Sequence, residues 1–229
     1  MPLFKRFALY FAPEAGPLAD FGAAWLGWDP VAGRACPHPD LPGLPRPVAE
    51  LTETPRKYGL HATLKPPFAL AAGRDQSGLR AAVEALAARL PPVTLEGLQL
   101  SRIGGFLALT PLGNTDALGA LAATLVAELD AFRAPLTEAD RARRRPERLS
   151  PAQRAHLDRW GYPYVMEEFQ FHITLTGNLP EAEARATAAA LAPVLEPLLP
   201  RPFRITQIAL FGEAEDGRFH LLHRAKLTG

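Results

Sequence analysis

Apolar runs and helical stripes alternate along this chain. Phe7-Ala8-Leu9-Tyr10-Phe11 is an unbroken apolar run stopped by Pro13 and reads as a buried strand, and Leu18 to Leu26 has the spacing of a helix. From 29 to 55 the pattern lapses: Pro30, Pro37, Pro39, Pro42, Pro45 and Pro47 predict a loop with a short helical turn before Thr54. A strand is predicted from about Tyr58 to Leu64, closed by Pro66-Pro67. A helix follows from Gln76 to Leu90, with Leu79, Val83, Leu86 and Leu90 on one stripe. Val93 to Leu100 and Phe106 to Thr110 then read as strands joined around Gly104-Gly105 as a hairpin.

After a helix from about Thr115 to Phe132 and an arginine-rich insertion, the order recurs. A strand from Phe169 to Thr176 leads to a helix from Pro180 to Leu195, a strand from Phe203 to Phe211, a turn at Asp216-Gly217 and a strand from Arg218 to Leu227. His172 lies 111 residues after His61, and Phe203 lies 110 after Val93. Equal offsets over strand, helix and hairpin point to an internal duplication. The predicted fold is α+β: one domain of two pseudo-symmetric lobes, about 1–112 and 113–229, with two antiparallel sheets facing a central cleft and helices outside.

The two repeated strands carry the same chemistry. Tyr-Gly-Leu-His-Ala-Thr-Leu-Lys (58–65) contains His61 and Thr63, and Phe-Gln-Phe-His-Ile-Thr-Leu-Thr (169–176) contains His172 and Thr174. Side chains at i and i+2 of a strand share a face, so each segment presents an imidazole beside a hydroxyl. Cleaving a phosphodiester requires one group to take a proton from the attacking oxygen and another to give one to the leaving oxygen. Two histidines meet both needs near neutral pH. His156, His220 and His223 lack a matching hydroxyl and read as surface or hairpin residues. His38 with Cys36 is too sparse a set for a metal, which wants three or four ligands.

Composition narrows the partners. At 229 residues and 48% hydrophobic, the chain can bury a substantial core. With 25 Lys+Arg against 24 Asp+Glu it has no overall field to recruit duplex DNA or an anionic membrane, which favours a small phosphorylated substrate, with RNA ends as the lesser alternative. Cys36 is the lone cysteine, which excludes an internal disulfide and a multi-cysteine zinc site. No signal peptide opens the chain and no apolar run approaches the ~18 residues of a membrane span, so a cytoplasmic protein is expected. No cofactor or metal is expected either.

Paired His-x-Thr motifs on a duplicated α+β chain of this size resemble the two-histidine (2H) phosphoesterase superfamily, whose members include cyclic nucleotide phosphodiesterases and RNA 2′,3′-cyclic phosphodiesterases. More narrowly, Tyr-Gly-Leu-His-Ala-Thr-Leu-Lys-Pro-Pro-Phe (58–68), Asp-Ala-Phe-Arg-Ala-Pro (130–135), Trp-Gly-Tyr-Pro-Tyr-Val (160–165) and Phe-His-Ile-Thr-Leu-Thr-Gly (171–177) resemble a bacterial branch associated with phosphonate-degradation operons. The resemblance implies His61 and His172 as the acid–base pair, with Thr63 and Thr174 hydrogen-bonded to phosphate. It also suggests a ribose cyclic phosphate as substrate.

Strand alternation adds Lys65 to the face of His61 and Thr63, and Gln170 and Thr176 to the face of His172 and Thr174. Lys65 and Arg133 are the candidates for extra positive charge at a phosphoryl transition state, and the alternative for Lys65 is a strand-end residue snorkelling into solvent. The segment from Arg141 to Arg154 holds six arginines, among them Arg144. It reads as a solvated helical face or as a lid whose guanidiniums clamp a second phosphate. Trp160, Tyr162 and Tyr164 beyond it offer a wall for a sugar or base, or a packed corner around Pro163. Three functions fit: a metal-independent cyclic phosphodiesterase, an RNA-end phosphodiesterase, and a non-enzymatic phosphometabolite-binding module.

Overall fold

The computed structural model describes residues 4–229. In chain order its elements are β1 (Arg6–Phe11), α1 (Pro17–Leu26), β2 (Trp28–Asp29), β3 (Arg34–Ala35), α2 (Val48–Leu51), β4 (Ala62–Phe68), α3 (Gln76–Ala87), β5 (Val93–Leu95), β6 (Gly97–Ile103), β7 (Phe106–Leu112), α4 (Asp116–Glu128), α5 (Glu138–Arg143), α6 (Pro151–Trp160), β8 (Ile173–Thr174), α7 (Glu181–Leu195), β9 (Phe203–Ile205), β10 (Gln207–Glu213) and β11 (Phe219–Lys226). Local chemistry accounts for several of the ends. Asp75 caps α3 by accepting from the Gly78 N–H, and Ser150 and Gln153 form a capping box on α6. Gly161, at φ 75°, ends α6 in the left-handed region.

The two expected facing sheets are in fact one. Seven antiparallel strands run in the order β11-β10-β1-β4-β8-β7-β6, with two-stranded pairs β2-β3 and β5-β9 beside them. The sheet is continuous because the two motif strands are neighbours, joined through Ala62 opposite Ile173. These two residues are themselves 111 apart, and in the β5-β9 pair Thr94 lies opposite Arg204, 110 residues further on. Equivalent positions of the repeat therefore meet across a local two-fold axis. The hairpins are exchanged about that axis: β7 lies against β8, while β10 reaches β4 through β1. The helices follow, α3 packing on β10 and β11 and α7 on β6 and β7.

One face of the sheet carries the main core, to which α1, α3, α4 and α7 contribute Trp25, Leu79, Leu125 and Leu191. Ala62 and Leu64 of β4 and Ile173 and Leu175 at β8 belong to this core. On the opposite face a smaller cluster of Ala8, Tyr10, Ala12, Ala209, Phe211 and Phe219 leaves room beside it for polar side chains.

Both motif strands depart from the predicted spans. β4 begins after His61 and runs through Pro66-Pro67 to Phe68, and the strand predicted over 169–176 shrinks to two residues. Prolines are tolerated there because beyond Ala62 the β8 side of β4 has no ladder partner and the β1 side is irregular.

Candidate active site

The register fixes the arrangement of the motif residues. With Ala62 opposite Ile173 in an antiparallel pair, His61 faces Thr174 and Thr63 faces His172 across the strands. Ala62 and Ile173 are fully buried in the core, and the four polar residues, each half-buried, occupy the other face. They form a two-by-two tile with the imidazoles on one diagonal and the hydroxyls on the other. Diagonal neighbours on such a pair stand roughly 7–8 Å apart at the backbone, enough for a phosphoryl group between two ring tips.

Each ring is oriented by the same device. His61 Nδ1 lies 3.1 Å from the Gly59 carbonyl oxygen, and His172 Nδ1 lies 2.8 Å from that of Gln170, in both cases two residues upstream. A carbonyl only accepts, so each Nδ1 carries the proton and each Nε2 is left to work on a ligand. Thr63 Oγ1 sits 3.5 Å from His61 Nε2. Gly59, at φ 70°, turns the chain so that its carbonyl can meet the ring, and a side chain there would strike Pro30.

Aromatic rings back the imidazoles unevenly. His61 is held between Tyr10 and Tyr58, at ring-centroid distances of 4.1 and 5.2 Å, whereas His172 has Phe106 at 5.7 Å. Burial drives the His61 pKa down to about 4, the Gly59 carbonyl opposing and His172 adding to the fall, so this ring is neutral at pH 7. The buried Tyr10 hydroxyl has no hydrogen-bond partner among the described residues, and burial pushes its pKa up. Replacing Tyr10 by Phe is therefore expected to leave the melting temperature unchanged or raised, since it removes an unsatisfied buried group. A marked fall in a thermal melt would show that the hydroxyl has a partner after all.

Lys65 and Thr176 leave the motif face, and one cause serves for both. Between Tyr10 and Leu9, β1 advances one residue while β4 advances two, from Thr63 to Lys65, which makes Leu64 the extra residue of a bulge. At the equivalent place, the Leu175 and Thr176 N–H groups both donate to the Leu107 carbonyl, at 2.9 and 3.3 Å. The bulges reset the alternation, so Lys65 and Thr176, themselves 111 residues apart, turn inward and are 2% and 1% exposed. Thr176 Oγ1 accepts from Leu107 N at 3.0 Å and donates to Gly177 O at 2.9 Å, which commits it to structure. Lys65 Nζ donates to the Val126 carbonyl at 2.9 Å, and burial holds its pKa down to about 8.

The remaining candidates divide between two cavities. One of about 250 Å³ opens beside the tile and is lined by Thr63, His172, Gln170, Tyr162 and Tyr164. The other, of about 280 Å³, lies at the far end of β4 and collects Lys65, Arg133 and Arg144 with Arg6, Lys57 and Tyr58. Pro66 lines both. Arg133 is engaged as a strut: it binds Asp130 at 2.7 Å, and its guanidinium also donates to the Arg159 carbonyl at 3.1 Å. Within the arginine-rich insertion, Arg141 pairs with Asp158 at the surface, while Arg143, paired with Asp140, and Arg144 line the cavity. Arg6, Lys57 and Tyr10 carry no motif and were not legible as site neighbours. Arg6 and Tyr10 lie on a strand that reads only as an apolar run, and their place beside β4 is set by long-range pairing.

The chain belongs to the family described as "Protein of unknown function (DUF1045)", whose model matches residues 63–220. It is 41% identical over 181 residues to a protein of Janthinobacterium sp. (strain Marseille) named ribose 1,5-bisphosphate phosphokinase PhnN, a match covering 78% of this chain and 40% of that protein. A protein of the same name from Laribacter hongkongensis (strain HLHK9) is 34% identical over 215 residues, covering 93% of this chain and 49% of the relative. The chain thus spans less than half the length of these relatives. Among solved structures, E. coli LigT complexed with NADP+ matches over 99% of this chain and 100% of that one, with a TM-score of 0.48 and 16% identity. No helix among the described residues is long and apolar enough to cross a membrane.

Proposed function

We propose that this chain is a phosphoric diester hydrolase that opens a cyclic phosphate on a ribose phosphate, with His61 as general base and His172 as general acid. One observation carries the reading: two imidazoles on the diagonal of a strand pair, each with Nδ1 tied to a carbonyl so that Nε2 faces a ligand, and each across or along the strands from a threonine hydroxyl. Neutral His61 takes a proton from water as the water oxygen bonds to phosphorus, the ester P–O bond breaks, and protonated His172 gives its proton to the departing sugar oxygen. Thr63 and Thr174 donate to the non-bridging oxygens, where charge gathers in the transition state. Nothing in this scheme requires a metal ion.

The relatives' name supports a phosphorylated ribose as the ligand class rather than kinase chemistry. A P-loop of the Walker type needs a Gly-Lys step whose lysine reaches the transferred phosphate, and Lys5, Lys57, Lys65 and Lys226 each follow a residue other than glycine. The test is turnover in EDTA by the purified chain, using ribose 1,2-cyclic phosphate derivatives, nucleoside 2′,3′-cyclic phosphates and 2′–5′ linked oligonucleotides. Hydrolysis of the ribose cyclic phosphates is the expected result. Turnover confined to RNA ends would move the assignment to an RNA-end enzyme. Binding without turnover of any of them would mark a binding module, and activity only on addition of a divalent metal would overturn the two-histidine mechanism.

A further inference from the structure

The cavity at the far end of β4 holds more positive charge than its neighbours neutralise. Its lining includes Arg6, Lys57, Lys65, Arg133, Arg143 and Arg144. Three of these have carboxylate partners: Arg6 with Glu213, Arg133 with Asp130, and Arg143 with Asp140. Lys57, Lys65 and Arg144 form no ion pair among the described residues; Lys57 and Arg144 instead rest over the rings of Tyr58 and Tyr162, at 5.0 and 4.7 Å. Lys65 is almost wholly buried and spends one of its three N–H groups on the Val126 carbonyl. Six cations against three carboxylates leave a recess about three charges positive, in a chain whose net charge is only +1.

Its position relates it to the tile. Pro66 lines both the recess and the cavity beside Thr63 and His172, and Tyr58 lines the recess while its ring stands 5.2 Å from that of His61. We infer that this recess is a second anion site, which binds the terminal phosphomonoester of a substrate whose cyclic diester lies on the His-x-Thr tile. A sugar carrying both groups would pass from the tile over Pro66 into the recess, with its terminal phosphate taken in a fork by Arg144 and contacted by Lys57 and Lys65. Bidentate guanidinium and ammonium donors in a recess suit a phosphate dianion better than the single charge of a nucleic-acid diester. The recess therefore selects a sugar bisphosphate type of substrate over an unphosphorylated cyclic phosphate. This rests on the diesterase reading for the tile but not for the recess itself.

Two measurements separate the two ideas. The first is calorimetric binding of ribose 5-phosphate, with ribose as control, to the wild-type chain and to the Lys57→Ala/Arg144→Ala double variant. Lys57 is exposed and Arg144 half-buried, so the variant is expected to fold, as its thermal melt would confirm. Ribose 5-phosphate should bind the wild type, ribose should not, and the double variant should lose about tenfold or more in affinity, the effect of one or two charge-assisted hydrogen bonds. Equal affinity in both proteins, or no binding to the wild type, would overturn the second site whatever the enzyme does. The second measurement is the ratio of kcat/KM for ribose 1,2-cyclic phosphate with and without a 5-phosphate, which the double variant should lower about tenfold. If the wild type turns over neither compound while ribose 5-phosphate binding depends on Lys57 and Arg144, the diesterase reading fails and the anion site stands.

Discussion

Replacing His61 or His172 by Ala is expected to lower kcat on a ribose cyclic phosphate by about 10²–10⁴-fold, the range for loss of a positioned acid or base. The two variants should differ in how pH affects what activity remains. Without His61 the wild-type acidic limb, where the base becomes protonated, should disappear. Without His172 that acidic limb should remain. Thr63→Val and Thr174→Val should cost less, because each removes one donor to a charge the other still meets. Steady-state kinetics across pH on the four variants would decide the matter. A variant lacking both histidines that keeps full activity would end the assignment, and loss of the acidic limb in the His172 variant rather than the His61 variant would reverse the roles of the two rings.

Acid should destabilise the fold through His61 in particular. Its pKa is down at about 4 in the native chain, against 6.5 for an unburdened imidazole. Between those values the unfolded chain binds a proton that the native chain refuses. The stabilising contribution is therefore complete above pH 6.5 and falls away as the pH drops toward 4. A fully sequestered ring would lose about 3 kcal/mol over this window, and because His61 keeps part of its surface in water the expected loss is nearer about 2 kcal/mol. Urea denaturation of wild type and His61→Gln at several pH values would isolate it from the titration of carboxylates, which both proteins share. Stability curves that run parallel from pH 7 to 4 would show that the ring is not desolvated in solution.

Much of this architecture is written locally. The helices at α1, α3, α4 and α7, the hairpin at Gly104-Gly105 and the buried run of β1 follow from apolar spacing and turn residues. Each half of the tile follows too, because a His-x-Thr pair on a strand has to share a face, but the joining of the halves side by side does not. What the local pattern misses depends on partners remote in sequence. Whether two repeats make two sheets or one is decided by a single cross-strand pair, Ala62 with Ile173, whose side chains look like any core residues. Lys65 and Thr176 obey perfect alternation on paper, yet a one-residue bulge before each turns it inward, and Leu64 and Leu175 carry no mark of being that extra residue. The cationic recess is likewise assembled from stretches remote in sequence, Arg6 from β1, Lys57 and Lys65 from around β4, and Arg144 from the insertion.

The local two-fold axis that runs between the motif strands has a consequence for selectivity. A tile with this symmetry offers a diester the same groups after a half-turn, so by itself it cannot choose which of two ester oxygens departs. The choice must come from whatever departs from the symmetry. Position 65 is a lysine beside an open recess, while its counterpart 176 is a threonine sealed against Leu107; likewise two tyrosines stand behind one ring and a phenylalanine behind the other. Asymmetry at the flanks rather than within the motifs would give the chain a sense of direction. Regiochemistry, the identity of the bond that is cut, would then be governed by residues that never touch the reacting phosphorus.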